Sequence, residues 1–145
     1  MKTLPALFLS LAMSFLAAGC GSVDLTPPSF GDRALEGAVV FQIAGPVMPA
    51  DTEVIVQVVD MSRGAGRGEV LGEQTIVEPS KPPIPFRIEY RAEDAVLRRG
   101  LNIDVRVSIA GKLAYYTASA HPLTSANVNE MHLVEVVPVA HDGRQ

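Results

Sequence analysis

The sequence has little of what holds many small secreted proteins together or what binds nucleic acid. Cys20 is the only cysteine among 145 residues, so an intrachain disulfide is excluded and the fold must be held by packing alone. Acidic side chains outnumber basic ones by 16 to 12. This balance argues against nucleic-acid binding, which depends on clustered lysine and arginine, and the chain has no polybasic segment for an anionic membrane.

The N-terminal residues combine one positive charge with an uncharged apolar run. Lys2 precedes residues 4–18 (LPALFLSLAMSFLAA), which contain no charged residue. The run is too short to span a bilayer as a helix, for which about 20 apolar residues are needed. It has the length of a signal-peptide hydrophobic region and no polar face at the helical period. We therefore predict a secretory signal peptide over residues 1–19.

Cys20 lies where the apolar run ends, and the residues before it resemble the bacterial lipobox. Residues 16–19 read LAAG, with Ala17 at a position where leucine is more usual. The resemblance implies that a diacylglyceryl group joins the Cys20 sulfur and that the signal peptidase cuts before Cys20. The new amino group then receives a fatty acid such as palmitate. The alternatives are an ordinary cleaved signal peptide and a small buried cysteine.

The lipobox resemblance also implies a location. Two or more acyl chains give stable membrane attachment, so a lipidated Cys20 would hold the chain on a membrane surface outside the cytoplasm. Gly21 follows the cysteine, instead of the aspartate associated with inner-membrane retention. By resemblance to that sorting rule, we expect the protein in the cell envelope on the periplasmic face of the outer membrane.

The mature chain has the size of one domain. Removing 19 residues with their single lysine leaves 126 residues and a net charge of −5. Pro27 and Pro28 favour an extended path, so we assign residues 20–35 to a lipidated N-terminus and flexible tether, which reaches at most about 50 Å. Alternatively, Phe30 or Leu35 docks on the domain and shortens the tether. The domain itself is assigned to residues 36–138 and the C-terminal tail to residues 139–145.

Apolar residues alternate with polar ones in most of the domain, which predicts β-strands. The clearest run is residues 101–109 (LNIDVRVSI), and residues 84–90 alternate in the same way. About seven strands are predicted, over residues 37–44, 52–61, 72–78, 84–90, 101–109, 113–120 and 131–138. Residues 110–112 form a hairpin turn, and only residues 92–99 suggest a helix. Short strands with turn residues between them predict an all-β fold, an antiparallel β-sandwich or small barrel.

Three stretches in fixed order resemble the YbaY/YscW-type family of bacterial envelope lipoproteins. They are residues 47–64 (VMPADTEVIVQVVDMSRG), residues 82–90 (PPIPFRIEY) and the strand pair around residues 109–116. Met48 stands where a leucine is more typical. The resemblance covers roughly residues 36–138 and implies a β-sandwich lipoprotein. Some relatives are pilotin or chaperone-like proteins of type III secretion, and most of the family has no assigned activity.

No constellation of catalytic or metal-ligating residues is visible in the sequence. His121, His132 and His141 have none of the close spacings typical of zinc sites, so we predict no metal and no cofactor. His132 is interpreted as a solvated histidine on the strand face opposite Leu133. No serine lies in a G-x-S-x-G motif and Cys20 is consumed by lipid, so no nucleophile has a base near it.

Two polar features near residue 60 each have a structural and a functional interpretation. Asp60 and Ser62 are interpreted as an Asx-type turn that ends a strand, and a paired polar site is the alternative. The glycine-rich stretch at residues 63–68 (RGAGRG) lacks the helix that a phosphate loop needs behind it. We interpret it as a flexible hairpin tip. Arg63 and Arg67 are possible contacts to an anion or a partner.

These observations favour a lipid-anchored, non-catalytic envelope lipoprotein over an enzyme. We expect a protein-binding module or pilotin-like chaperone of the periplasm that binds an unidentified envelope protein and attaches to the membrane through the Cys20 lipid. An unpaired strand edge or an apolar groove would support strand addition. The alternative is an envelope hydrolase or small-ligand carrier, which a cavity lined by His121, Asp60 and Ser62 together would support. A purely structural lipoprotein is a third possibility.

Overall fold

The computed structural model describes residues 32–43, 47–62 and 68–140. The signal peptide, Cys20, the tether up to residue 31, both loop arginines and residues 141–145 of the tail lie outside these ranges. Eight strands and one short helix follow along the chain: β1 (Arg33–Phe41), β2 (Thr52–Asp60), β3 (Glu69–Val77), β4 (Ile84–Tyr90), α1 (Asp94–Arg99), β5 (Leu101–Ile109), β6 (Lys112–Tyr116), β7 (Pro122–Leu123) and β8 (His132–Pro138). The all-β prediction is confirmed.

The strands form one mixed sheet that nearly closes into a barrel. Seven strands follow one another in the order β3-β2-β5-β6-β8-β1-β4, and the two-residue β7 pairs with β5. The ends of this path approach each other where the Arg91 N–H donates to the Leu71 carbonyl at 3.3 Å. At the same seam, a Cβ on Gly72 would lie 2.6 Å from the Tyr90 Cβ, so only glycine lets the two strands come this close.

One strand pair departs from the antiparallel arrangement that the sequence predicted. β1 runs antiparallel to β4 but parallel to β8. Seven strands around a ring cannot alternate in direction throughout, because an odd ring leaves at least one pair pointing the same way. The parallel pair is therefore a consequence of closing a seven-stranded sheet.

The core lies inside the sheet and is built from the alternating positions. In β5 the buried positions are Leu101, Ile103, Val105 and Val107, and those of β4 are Ile84, Phe86, Ile88 and Tyr90. The turn between β5 and β6 contains Ala110 and Gly111, both with positive φ, which confirms the predicted hairpin. Leu97 of α1 is also buried in this core.

The N-terminal strand begins earlier than the sequence pattern indicated. β1 starts at Arg33, so residues 33–35, which were assigned to the tether, lie in the sheet. Leu35 is only 2% exposed and belongs to the core, as the docking alternative expected. The alternating pattern of β1 is weakened because Gly37, an inward position opposite Phe86, carries no side chain.

Candidate functional site

β8 loses its partner on one side along most of its length. β1 pairs with residues 132–136 of β8, but β6 pairs only with Val137 and Pro138. The Val136 carbonyl accepts from the N–H of Gln42, directly after β1, and the Val139 N–H donates to the carbonyl of Ala114 in β6. These two bonds fix which backbone groups of β8 face each neighbour. The N–H and C=O groups of Leu133 and Glu135 therefore point away from β1. We call this side of residues 133–136 the β8 edge.

The segment that would continue β6 along the β8 edge bulges away instead. The Thr117 N–H donates to the Val105 carbonyl, and the Ile103 N–H donates to the His121 carbonyl. Between these two bonds β5 contributes one residue, Asp104, whereas the opposite segment contributes residues 118–120. We call these three residues the bulge. Ala118, Ser119 and Ala120 are all exposed and make no hydrogen bond among the described residues.

Thr117 fixes the near end of the bulge. Its hydroxyl donates to Asp104 Oδ1 at 2.6 Å and accepts from the Val105 N–H at 3.1 Å. The segment from Thr117 onward is thus held to β5 by backbone and side-chain bonds. Because three residues then lie opposite the single residue Asp104, the chain bulges away from β8 before it rejoins β5 at His121.

A pair of histidines fixes the far end. His121 Nε2 lies 3.2 Å from His132 Nδ1, and His132 Nε2 lies 3.1 Å from the Asn127 carbonyl. A carbonyl only accepts, so His132 donates from Nε2, and in its neutral form its Nδ1 accepts from His121 Nε2–H. This histidine pair therefore ties the bulge to the beginning of β8. Burial, and then the neighbouring His132, lower the pKa of His121 below its usual value.

The interpretation of His132 as a solvated histidine is wrong. His132 is 4% exposed, whereas Leu133 is 58% exposed on the outer face. Val134 and Val136 point into the core, and the period of two places His132 on their side. The sequence signal for this orientation is Glu135 between two valines, Val134 and Val136.

Apolar side chains surround the β8 edge on the outer surface. Leu133 aligns with Ala38 of β1, which in turn aligns with Pro85 of β4. Met131, directly before β8, is 72% exposed. Glu135 is exposed on the same face and makes no ion pair among the described residues. The surface at the β8 edge is thus an apolar strip with one carboxylate.

A small cavity separates the bulge from the β8 edge. Its volume is about 140 Å³, and its lining consists of Ala118, Ser119, Ala120, His121, Leu133, Val134, Glu135 and Val137. Neither Asp60 nor Ser62 lines it, so this cavity does not assemble the three residues that the hydrolase alternative required. The cavity exposes the backbone donors and acceptors of the β8 edge to a partner.

Asp60 and Ser62 form the predicted Asx-type turn. The Ser62 N–H donates to Asp60 Oδ1 at 2.8 Å, and Asp60 Oδ2 lies 3.7 Å from the Arg99 guanidinium. Asp60 thereby ends β2 and pairs with the last residue of α1. Within the described ranges, no group of three or more histidine, cysteine, aspartate or glutamate side chains could hold a metal ion.

The site residues predicted from the sequence do not belong to the β8 edge. Cys20, Arg63 and Arg67 lie outside the described residues, so their roles remain predictions. The sequence reasoning missed the histidine pair because it tested histidines only for metal spacing. In the part of the chain that the structure describes, no helix has the length and apolar character needed to cross a membrane.

Comparison with known proteins identifies a family and a solved structure of similar fold. A sequence model of the family described as "Type III secretion system lipoprotein chaperone (YscW)" matches residues 32–134. The structure of an alternative pilotin from the type II secretion system of Vibrio cholerae is similar in fold, with a TM-score of 0.64 at 17% sequence identity. The similarity covers 75% of this chain and 98% of the pilotin. No curated protein matches the sequence.

Proposed function

The chain belongs to the YscW family of type III secretion system lipoprotein chaperones, and on this premise we propose that it is a lipid-anchored, non-catalytic envelope protein that binds another envelope protein through the β8 edge. The unpaired backbone of Leu133 and Glu135 is the observation that carries this proposal. An exposed strand edge accepts an extended segment of a partner through main-chain hydrogen bonds. The partner would be a component of a secretion system.

The lipid anchor in this proposal is supported by the sequence around Cys20. A diacylglyceryl group on the Cys20 sulfur and an acyl chain on its amino group would hold the protein stably on a membrane. Because Gly21 follows the cysteine, we propose the periplasmic face of the outer membrane as the location. The tether between Cys20 and β1 would let the domain stand away from the lipid surface.

The β8 edge is a better candidate than the other surfaces because it offers both hydrogen bonds and apolar area. A surface cavity of about 490 Å³ lies over the outer face of β2, β3 and β5. There β2, the strand in the middle, is paired with β3 on one side and with β5 on the other, so it offers a partner side chains and no free backbone groups. Arg63 and Arg67 follow β2 in the sequence and remain proposed contacts to an anionic group of the partner.

Site-specific photocrosslinking in intact cells tests the proposal. A photoreactive residue at Glu135 should give a discrete crosslinked envelope protein, identifiable by mass spectrometry. The same residue at Glu53, exposed on β2 between two paired neighbours, is the matched control. We expect no such product there. Equal products from both positions, or none from position 135, would contradict binding at the β8 edge.

A proline substitution separates the edge from the rest of β8. Leu133→Pro removes the N–H that points away from β1 and leaves the bonds between β8 and β1 in place. It should abolish the product from position 135 without unfolding the chain, as checked by circular dichroism. Leu133→Ala keeps the N–H and should retain most of the product.

A further inference from the structure

The bulge occupies the path that a strand added to the β8 edge would have to follow. Tyr116 pairs with Val137, and continuing that antiparallel register would place residues 118–120 opposite residues 133–135. The same continuation places His121 opposite His132, which are in contact. The segment is therefore aligned with β8 at both ends and separated from it only in the middle.

We propose that the bulge is a removable cover, and that the partner segment replacing it runs antiparallel to β8 with an apolar residue opposite Leu133 and a lysine or arginine opposite Glu135. This inference rests on the proposed binding at the β8 edge and adds the chemistry of the partner. The direction follows from β6, which already runs antiparallel to β8 in the same position. In this arrangement Leu133 and Glu135 each exchange two main-chain hydrogen bonds with the partner.

The side chains on the outer face of β8 determine which residues the partner segment should carry opposite them. Side chains directly opposite each other on an antiparallel pair interact, and opposite charges there are favourable. Leu133 and Glu135 both point outward, so their partners are an apolar side chain and a cation, two positions apart. The intervening residue points inward beside Val134, which is fully buried in the core. That residue must therefore be small.

The bulge is suited to moving away because its three residues are held only at their two ends. Ala118, Ser119 and Ala120 are exposed and small, and they make no hydrogen bond within the described part of the chain. At its far end the His121 side chain contacts His132 of β8, and the His121 backbone is hydrogen-bonded to Asn102 and Ile103 of β5. Its near end is tied to β5 through Thr117. Breaking the histidine contact would free the bulge from β8 and leave the anchor on β5 intact.

Peptide binding to the full chain in detergent micelles at low salt tests the proposed chemistry. The probes are two fluorescent peptides, with the core Thr-Lys-Ala-Val-Thr or Thr-Glu-Ala-Val-Thr, each flanked by two threonines. We expect the lysine peptide to bind about three- to thirtyfold more tightly than the glutamate peptide, the range of a favourable charge pair exchanged for a repulsive one. Glu135→Lys should reverse this preference, and Glu53→Lys should leave it unchanged.

An unchanged preference in Glu135→Lys, or no binding of either peptide, would overturn the proposed pattern. The proposed function would survive that result if the crosslink from position 135 persists, so the two failures are distinguishable. Displacement of the bulge is measured separately. Peptide binding should shift the NMR resonances of Ala118 and Ala120, and His121→Ala should strengthen binding because the cover is released. Unshifted resonances together with unchanged affinity in His121→Ala would show that the bulge stays in place.

Discussion

Replacing Val105 by aspartate tests whether the alternation along β5 builds the core. Val105 is fully buried, lies opposite Val56 on β2, and belongs to the central strand of one half of the sheet. The substitution loses the burial of a valine side chain, about 1.5–2 kcal/mol. It also places a carboxylate where no cation is available, which costs several kcal/mol more. A total of about 4–6 kcal/mol approaches the whole stability of a typical domain.

The neighbouring residue gives the matched control. Arg106 is exposed, and its Nε lies 3.3 Å from the Asp104 carboxylate. Arg106→Asp removes that surface ion pair and adds a like charge, for an expected loss of at most about 1 kcal/mol. The loss of stability should thus be several times larger for Val105→Asp than for Arg106→Asp, although the two residues are neighbours in one strand.

Thermal unfolding followed by circular dichroism measures both variants, since the chain has no tryptophan to report by fluorescence. For a domain of this size each kcal/mol lowers the melting temperature by about 4 °C. Val105→Asp should therefore melt at least about 16 °C below the wild type, or fail to fold. Equal losses in the two variants, or a larger loss in Arg106→Asp, would refute the assignment of inner and outer faces.

Three further predictions concern the anchor, the core and the histidine pair. Cys20→Ser should remain unlipidated and poorly processed, because the sulfur is the lipid acceptor; normal processing and membrane recovery of this variant, measured by mass spectrometry and fractionation, would contradict the lipoprotein assignment. Burial raises the pKa of Tyr90, whose hydroxyl has no hydrogen-bond partner among the described residues. Tyr90→Phe should therefore be neutral or stabilising by up to about 2 kcal/mol in urea unfolding, and a loss of more than 1 kcal/mol would show that the hydroxyl is bonded. Because the pKa of His121 is lowered in the folded chain, the unfolded chain takes up a proton first as the pH falls below 6.5. Stability should thus decrease from pH 7 towards pH 5, with a smaller decrease in His121→Gln than in the wild type; equal slopes would argue against this role of His121.

The alternating strands could be predicted from the sequence because each has one face exposed to solvent and one face buried. Residues 84–90 and 101–109 were predicted with the bounds that the structure has, since charged residues alternate with large apolar ones throughout. The prediction for His132 was wrong because Leu133 was taken as the inward residue, against the alternation of Val134, Glu135 and Val136. The beginning of β1 was missed because a glycine interrupts its inward row.

The closure of the sheet and the candidate site could not be predicted from local patterns. The bulge was predicted as part of a strand over residues 113–120, since small residues fit a strand and a loop equally well. The bulge lies between two attachments to β5, at Thr117 and at the His121 carbonyl, and these contacts are known only once the strands are arranged. The histidine pair depends in the same way on the register between two segments that are eleven residues apart.

The most direct test of the account is the amide hydrogen exchange of β8, followed by NMR with and without the partner segment. In the free protein, the Val134 and Val136 amides face β1 and should be protected, whereas the Leu133 and Glu135 amides face the cavity and should exchange quickly. Adding the lysine peptide, or the crosslinked envelope protein once identified, should protect Leu133 and Glu135. If these two amides exchange slowly in the free protein, or stay unprotected when the partner is bound, the β8 edge is not the binding surface.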